Sequence, residues 1–405
     1  MIQFSTSTQV DSSVESEVNQ LMRNAVAVGA SDVFVMAEAN GVRIATRRHG
    51  VLRTETALTT ERGRQFIRHI KAMAGMNISE SRRPLDGRWV CELNDARVDV
   101  RVNTLATLFG EDMNLRIWDH SKELRHLDEL GMHPGDIATL HGMLNNPSGL
   151  ILVTGPTGTG KTTTLYASLE HLNDGRRKIN TLEDPIEYAL SGIRQSQVDD
   201  RLGLDFPELL RHVLRQAPDV IMIGEIRDAE TANTAIRAAN SGHLVLATLH
   251  APRAASAVQS MLAYGVNSHF LSSSLIGIVA QRLVRRLCVE CRVHYDIAES
   301  ATTFDEIQEL LDHDAQVQVC GPRGCEACWE SGYGEQTGLF ELMTLNQVLR
   351  QAVADGRNSR EIENLAISGG MLDIRRSALL KVARGETSVD EILRDVPHEY
   401  LGIDG

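Results

Sequence analysis

The chain has 405 residues, 42% hydrophobic and 23% charged, the balance of ordinary globular domains and, at this length, of two or three of them. Its net charge of −13 and 4% aromatic content exclude the basic footprint and the stacking platforms of a general nucleic-acid binder. No apolar run approaches the roughly 18–20 residues that span a bilayer, and no basic segment with an apolar core opens the chain, so the expected location is cytoplasmic, without membrane insertion.

Residues 1–17 are polar and read as a flexible start. Apolar residues then recur at Val18, Leu21, Met22, Ala25 and Val28, which predicts a helix ended by Gly29. Asp32–Met36 and Val42–Thr46 alternate as strands, Gly63–Ala74 follows as a helix, and Arg88–Cys91, Ala96–Thr104 and Asp112–Trp118 are further strands. Residues 18–120 are therefore expected to form a small α/β domain. Residues 121–148, with His133-Pro134-Gly135 and Asn145-Asn146-Pro147, read as a linker and a lead-in helix.

From residue 149 the pattern changes. Leu150–Val153, Lys178–Leu182, Val220–Ile223 and Leu244–Thr248 are apolar runs without alternation, separated by helical stretches, as in a parallel sheet covered on both faces. Between the first strand and a helix from Thr163 to Leu172 stands Gly155-Pro156-Thr157-Gly158-Thr159-Gly160-Lys161-Thr162, which satisfies G-x-x-x-x-G-K-[ST] at every fixed position. Glycines let successive N–H groups face phosphate oxygens, and the helix N-terminus at Thr163 adds partial positive charge. Lys161 is expected on the β- and γ-phosphates of a nucleotide, and the Thr162 hydroxyl on Mg²⁺.

Further polar groups follow predicted strands. Thr181-Leu182-Glu183-Asp184-Pro185-Ile186-Glu187-Tyr188 places three carboxylates at the carboxyl end of a strand, where ligands bind in α/β sheets. Glu183 and Glu187 are candidates for holding Mg²⁺ or orienting water; a solvated acidic loop is the alternative. Val220–Ile223 runs into Gly224-Glu225, which makes Glu225 the leading candidate for polarising the attacking water. His243 and His250 bracket the Leu244–Thr248 strand as candidate sensors of a γ-phosphate.

Of six cysteines, five fall between 288 and 328. Cys288-Val289-Glu290-Cys291 and Cys325-Glu326-Ala327-Cys328 form two C-x-x-C pairs, the spacing of a four-thiolate Zn²⁺ site in residues 287–332, with a helix expected from Phe304 to Leu311. Cys320 is a spare. Residues 333–405 read as a mostly helical tail.

Over residues 18–400 the chain resembles the type II secretion and type IV pilus assembly ATPases. The resemblance rests on the phosphate loop Gly155–Thr162, the acidic box Thr181–Tyr188, the Gly-before-Glu motif in Val220–Asp228, the histidine box Gly242–His250, and four cysteines following Gln281-Arg282-Leu283-Val284-Arg285-Arg286-Leu287. It implies a PAS-like first domain and a RecA-like ATPase core in residues 149–286. It also implies ATP with Mg²⁺, a homohexamer, and a membrane-embedded platform protein as partner at the cytoplasmic face of a bacterial inner membrane. Arg101 and Arg116 match family arginines that approach the nucleotide phosphates. Pilus retraction ATPases are similar in the core but generally lack the cysteines. A nucleic-acid translocase on the same core and a non-hydrolysing nucleotide-gated scaffold are the other rivals. The sequence departs from the family pattern at Phe34 and Met36, at Leu85, and at Ala251-Pro252-Arg253, where Thr-Asn-Asp or a similar polar run is common. Long members carry a further N-terminal domain that docks on the membrane machinery; with about 17 residues before the match, docking is expected to differ or to be supplied by a partner.

Overall fold

A computed structural model describes residues 13–93, 96–119, 125–295, 302–311 and 317–403. Most of the expected flexible start, residues 1–12, and linker residues 121–124 lie outside the described residues. The chain divides into two compact units, Met1–Glu123 and Leu124–Gly405.

The first unit runs α1 (Val14–Ala27), β1 (Asp32–Glu38), β2 (Gly41–Arg48), β3 (Val51–Leu58), α2 (Thr60–Met73), β4 (Leu85–Leu93), β5 (Ala96–Thr107) and β6 (Gly110–Asp119). Both helices begin at hydroxyl caps: Ser13 Oγ accepts the Ser16 N–H and Thr59 Oγ1 the Arg62 N–H, each at 3.2 Å. The strands form one antiparallel sheet in the order β3-β2-β1-β6-β5-β4. Val18 and Met22 of α1 and Phe66 and Ile70 of α2 pack on one face, against Val33, Val35, Val98, Val100 and Leu115. Side chains alternate across the pleat, so Arg101 and Arg116 stand on the other face and are exposed. The edge strand β3 was not expected; its residues are mostly exposed, so no apolar period marks it.

The second unit opens with α3 (Pro134–Leu144), the expected lead-in helix. It continues with β7 (Gly149–Thr154), α4 (Lys161–Leu172), β8 (Ile179–Glu183), β9 (Arg194–Gln197), α5 (Phe206–Val213), β10 (Val220–Ile223), α6 (Ala229–Asn240), β11 (Leu244–Leu249), α7 (Ala254–Ala263), α8 (Ser268–Ser274) and β12 (Leu275–Leu287). The short ribbon β13 (Val293–His294) and β14 (Cys320–Gly321) precedes β15 (Tyr333–Thr344), α9 (Gln347–Ala354), α10 (Ser359–Ser368), α11 (Ile374–Ala383) and α12 (Val389–Asp395). Seven strands form one sheet, β15-β12-β7-β11-β10-β8-β9, parallel except for the antiparallel edge β15. Apolar cores on both faces account for unbroken runs such as Leu150–Val153.

Three expectations change. The tail after Gly332 carries the four helices α9–α12 but begins with a twelve-residue strand that was not foreseen, because β15 completes the sheet beside β12. The parallel part of the sheet gains two strands beyond the four expected, the thirteen-residue β12 and the short edge strand β9. In place of the α-helix expected from Phe304 to Leu311 stands a 3₁₀ stretch, Thr302–Leu310.

Candidate functional site

Strand β7 ends in a loop that turns on glycines with positive φ: 144° at Gly155, 79° at Gly158 and 83° at Gly160. A Cβ on Gly155 would lie 2.4 Å from the Gln281 carbonyl oxygen, so β12 passes too close for any other residue. Lys161 opens α4, and its Nζ donates to the carbonyls of Gly155 at 2.8 Å and Pro156 at 2.9 Å. Burial lowers the Lys161 pKa, and the Glu225 carboxylate acts against that shift. Thr162 and Thr163 are exposed on the first turn of α4, while Thr159 is buried and donates to the Pro156 carbonyl at 2.9 Å.

Gln281 binds both sides of this loop. Its Nε2 donates to the Thr159 carbonyl at 2.6 Å, and its Oε1 accepts the Thr164 hydroxyl at 2.8 Å. It is 2% exposed. The sequence carries no local sign of this role, since Gln281 only opens the segment before the cysteines. Its place on a strand beside β7 is the signal that would have found it.

Glu225 lies just past β10, on the turn Gly224-Glu225. Thr248 Oγ1 donates to the Gly224 carbonyl at 2.5 Å and the Ile226 N–H to the Thr248 carbonyl at 2.9 Å, which anchors the turn to β11. His250, just past β11, brings Nε2 to 2.6 Å from Glu225 Oε1. Arg227 Nε lies 2.5 Å from Oε2, and its Nη1 reaches Asp184 Oδ2 at 3.1 Å. The acidic box, the Gly-Glu turn and the histidine box thus meet at the carboxyl ends of β8, β10 and β11. Glu225 is oriented from two sides, and each oxygen keeps a lone pair for a water.

The remaining candidates separate. Glu183 is 3% exposed, with Oε1 accepting Thr181 Oγ1 at 2.5 Å and Gln195 Nε2 at 3.1 Å, and Oε2 a short bond from Tyr166. Burial and the Glu183 carboxylate raise the Tyr166 pKa, so its hydroxyl stays a donor. Glu183 thus ties β8 to α4 and faces protein donors rather than open space. Glu187 is half-buried in the loop beyond, its N–H 3.4 Å from the Tyr166 hydroxyl. His243 corrects the expectation of a paired sensor. It precedes β11, whose first residue pairs with Gly149 at the far end of β7, so about 20 Å of strand separates it from His250. Arg101 and Arg116 are direct cross-strand neighbours in the first unit.

These residues fit their expected ligands. The glycine loop admits backbone where a Cβ would clash, and Lys161 supplies a cation. The hydroxyl of Thr162 and the carboxylate of Glu225 are hard oxygen donors suited to Mg²⁺.

Cys288, Cys291, Cys325 and Cys328 bring their four Sγ atoms within 4.8 Å of one another. The separations are 3.9 Å for 288–325, 3.8 Å for 291–328 and 3.7 Å for 325–328. Bonds of about 2.3 Å from a tetrahedral centre put sulfurs about 3.8 Å apart, so the set fits zinc. Burial raises the Cys291 thiol to about 12. At Cys328 burial is outweighed by the N–H groups of Cys325 and Gly332, each 3.2 Å from Sγ, and by neighbouring thiols, and the pKa falls to about 7. Cys320 stays outside the cluster, its Sγ 3.2 Å from His294 Nδ1.

Among the described residues no helix is long and apolar enough to cross a membrane. The family model described as Type II/IV secretion system protein matches residues 7–394. The type II secretion system protein HxcR of Pseudomonas aeruginosa is 40% identical over 387 residues, 96% of this chain and 78% of the relative. The type IV pilus assembly ATPase PilB of the same organism is 38% identical over 396 residues, 96% of this chain and 69% of the relative. Among solved structures, the Legionella pneumophila ATPase DotB shares the fold with a TM-score of 0.71 at 19% identity, over 95% of this chain and 96% of that one. The chain belongs to the type II/IV secretion system protein family, as one of its ATP-hydrolysing members.

Proposed function

We propose that this chain is a hexameric, Mg²⁺-dependent motor with a RecA-like core at the cytoplasmic face of a bacterial inner membrane. It drives assembly of a type II secretion pseudopilus or a type IV pilus through a membrane-embedded platform protein. The observation that carries the hydrolytic part is Glu225, oriented by His250 and Arg227 and in electrostatic reach of Lys161. The clustered thiols favour the assembly and secretion branch over retraction.

In this reading the phosphate loop, residues 155–163, binds the ATP phosphates, and Lys161 Nζ turns from the loop carbonyls to the β- and γ-phosphates. The Thr162 hydroxyl would hold Mg²⁺, which would neutralise charge on the β- and γ-phosphates. Glu225 polarises the attacking water and His250 fixes the carboxylate and reports on the γ-phosphate. Arg101 and Arg116 are guanidinium donors to charge developing on that phosphate. Glu187 is a reserve orienter of water; Glu183 acts by positioning, through Tyr166. Cys288, Cys291, Cys325 and Cys328 hold a structural Zn²⁺.

Glu225→Gln is expected to keep ATP affinity and lose turnover, whereas Lys161→Ala loses both. Phosphate release and nucleotide binding by purified protein are the measurements. Near wild-type hydrolysis by the Gln variant would remove Glu225 from the role and move the assignment to Glu187.

A further inference from the structure

The loop after His250 is Ala251-Pro252-Arg253, the stretch that departs from the polar family pattern. It is fastened at both ends. The Ala251 N–H donates to Thr154 Oγ1 at 2.8 Å, and the Ala251 carbonyl accepts the same hydroxyl at 2.7 Å. Arg253 occupies the N-cap position of α7, where its side chain makes no capping bond. Glu341 of β15, 1% exposed, caps the helix instead by accepting the Ala254 N–H at 3.1 Å. The same carboxylate accepts the Ile374 N–H that opens α11, at 3.3 Å, and Arg253 Nε and Nη2 at 3.3 and 3.2 Å. Arg253 Nη2 also pairs closely with Glu363 of α10. Its guanidinium lies over the Tyr400 ring at 4.8 Å, and that of Arg282, next to Gln281, lies over the same ring at 5.2 Å.

We propose that Arg253 is a positioning residue for hydrolysis, locking the loop after β11 to Glu341, Glu363 and Tyr400 so that His250 holds Glu225 in its working orientation. This rests on the roles given above to Glu225 and His250. The His250 ring is half exposed and bonds only Glu225 among the described residues, so apart from that bond its direction is set by its backbone. Two residues separate it from Arg253, one of them Pro252 with a fixed φ, and so short a tether transmits displacement rather than absorbing it. The planar fork of arginine, stacked on an aromatic ring and bonded to two carboxylates, has one orientation where lysine has many. Where the polar family pattern has a short side chain, this chain uses a long cation reaching the C-terminal helices, and so makes the catalytic loop depend on their docking.

The test measures kcat, KM for ATP, ADP affinity and thermal midpoint for the full chain, wild type and variants. Arg253→Lys, which keeps the charge but not the fork, is expected to lower kcat about ten- to a hundred-fold, with KM and ADP affinity within about two-fold. Tyr400→Leu, which removes no charge, shifts kcat in the same direction by less. Because Arg253 acts through His250, Arg253→Lys adds little further loss in a His250→Gln background, an interaction that loss of stability alone does not produce. Wild-type kcat in Arg253→Lys, fully additive losses in the double variant, or a fall in nucleotide affinity matching that in kcat would each overturn the proposal. If Arg253→Lys does not fold, unchanged kcat in Tyr400→Leu overturns it instead. An inert wild-type chain overturns the hydrolytic reading and this proposal together, whereas an active wild type with any of the preceding outcomes overturns this proposal alone.

Discussion

Arg101 of β5 stands directly opposite Arg116 of β6 and, on its other side, Arg88 of β4. Like charges facing one another across a sheet cost stability. Two carboxylates offset part of the cost: Asp99 binds Arg88, and Asp32 lies 3.2 Å from Arg116 Nε. Such a row on the exposed face has no packing rationale, since the inward residues Val100, Val102, Leu115 and Ile117 make the core. If Arg101 and Arg116 meet the γ-phosphate, removing either hurts turnover more than binding, because the contact strengthens as charge develops. Arg101→Ala and Arg116→Ala are expected to lower kcat roughly 30- to 1,000-fold, or ~2–4 kcal/mol of barrier, with ADP affinity nearly unchanged. Steady-state kinetics and ADP titration decide it, and unchanged kcat in both variants would return the pair to the surface.

At the scale of elements, α3 carries an unusual group in its first turn. Among the described residues Asp136 Oδ2 is buried without a hydrogen-bond partner, and burial pushes the carboxyl up to about 6. A carboxyl whose folded pKa lies above its unfolded value binds protons more readily in the native state, so it favours folding at low pH, and that contribution fades as pH rises from about 4 through 6. Asp136→Asn is therefore expected to raise stability at pH 7 by about 2 kcal/mol and to flatten the pH dependence across that window. Denaturant titrations between pH 4 and 7 measure both, and a less stable Asn variant at pH 7 would mean the carboxylate has a favourable partner. The same scale shows why β12 and β15 escaped sequence reading. Leu275–Leu287 mixes Val and Ile with Gln281, Arg282, Arg285 and Arg286, which blurs any period. Two of those polar groups find their partners only after folding, Gln281 in the phosphate loop and Arg285 in Glu391 at 2.6 Å.

For the whole molecule, the four thiols join segments far apart in the chain, Cys288–Cys291 after β12 and Cys325–Cys328 before β15. Structural zinc contributes folding free energy directly. Purified protein is expected to carry about one zinc per chain, and Cys325→Ser or a chelator is expected to lower the thermal midpoint and expose residues 287–332 to protease. Elemental analysis finding no zinc with all thiols free would remove the assignment. What was legible beforehand was chemistry whose spacing is local. The phosphate loop, the two C-x-x-C pairs, and the acidic and histidine boxes each lie within ten residues, because a backbone cradle or a thiol pair needs neighbours in the chain. The parallel strands β7, β8, β10 and β11 were legible too, since burial on both faces writes unbroken apolar runs. Tertiary structure alone decided which of those groups meet. Parallel pairing brings Glu225 and His250, 25 residues apart, to the carboxyl ends of the strands and sends His243 to the opposite ends, and folding hands the oxygens of Glu183 to Tyr166, Thr181 and Gln195. Register and strand order depend on contacts summed over the whole core, and no local spacing carries that information.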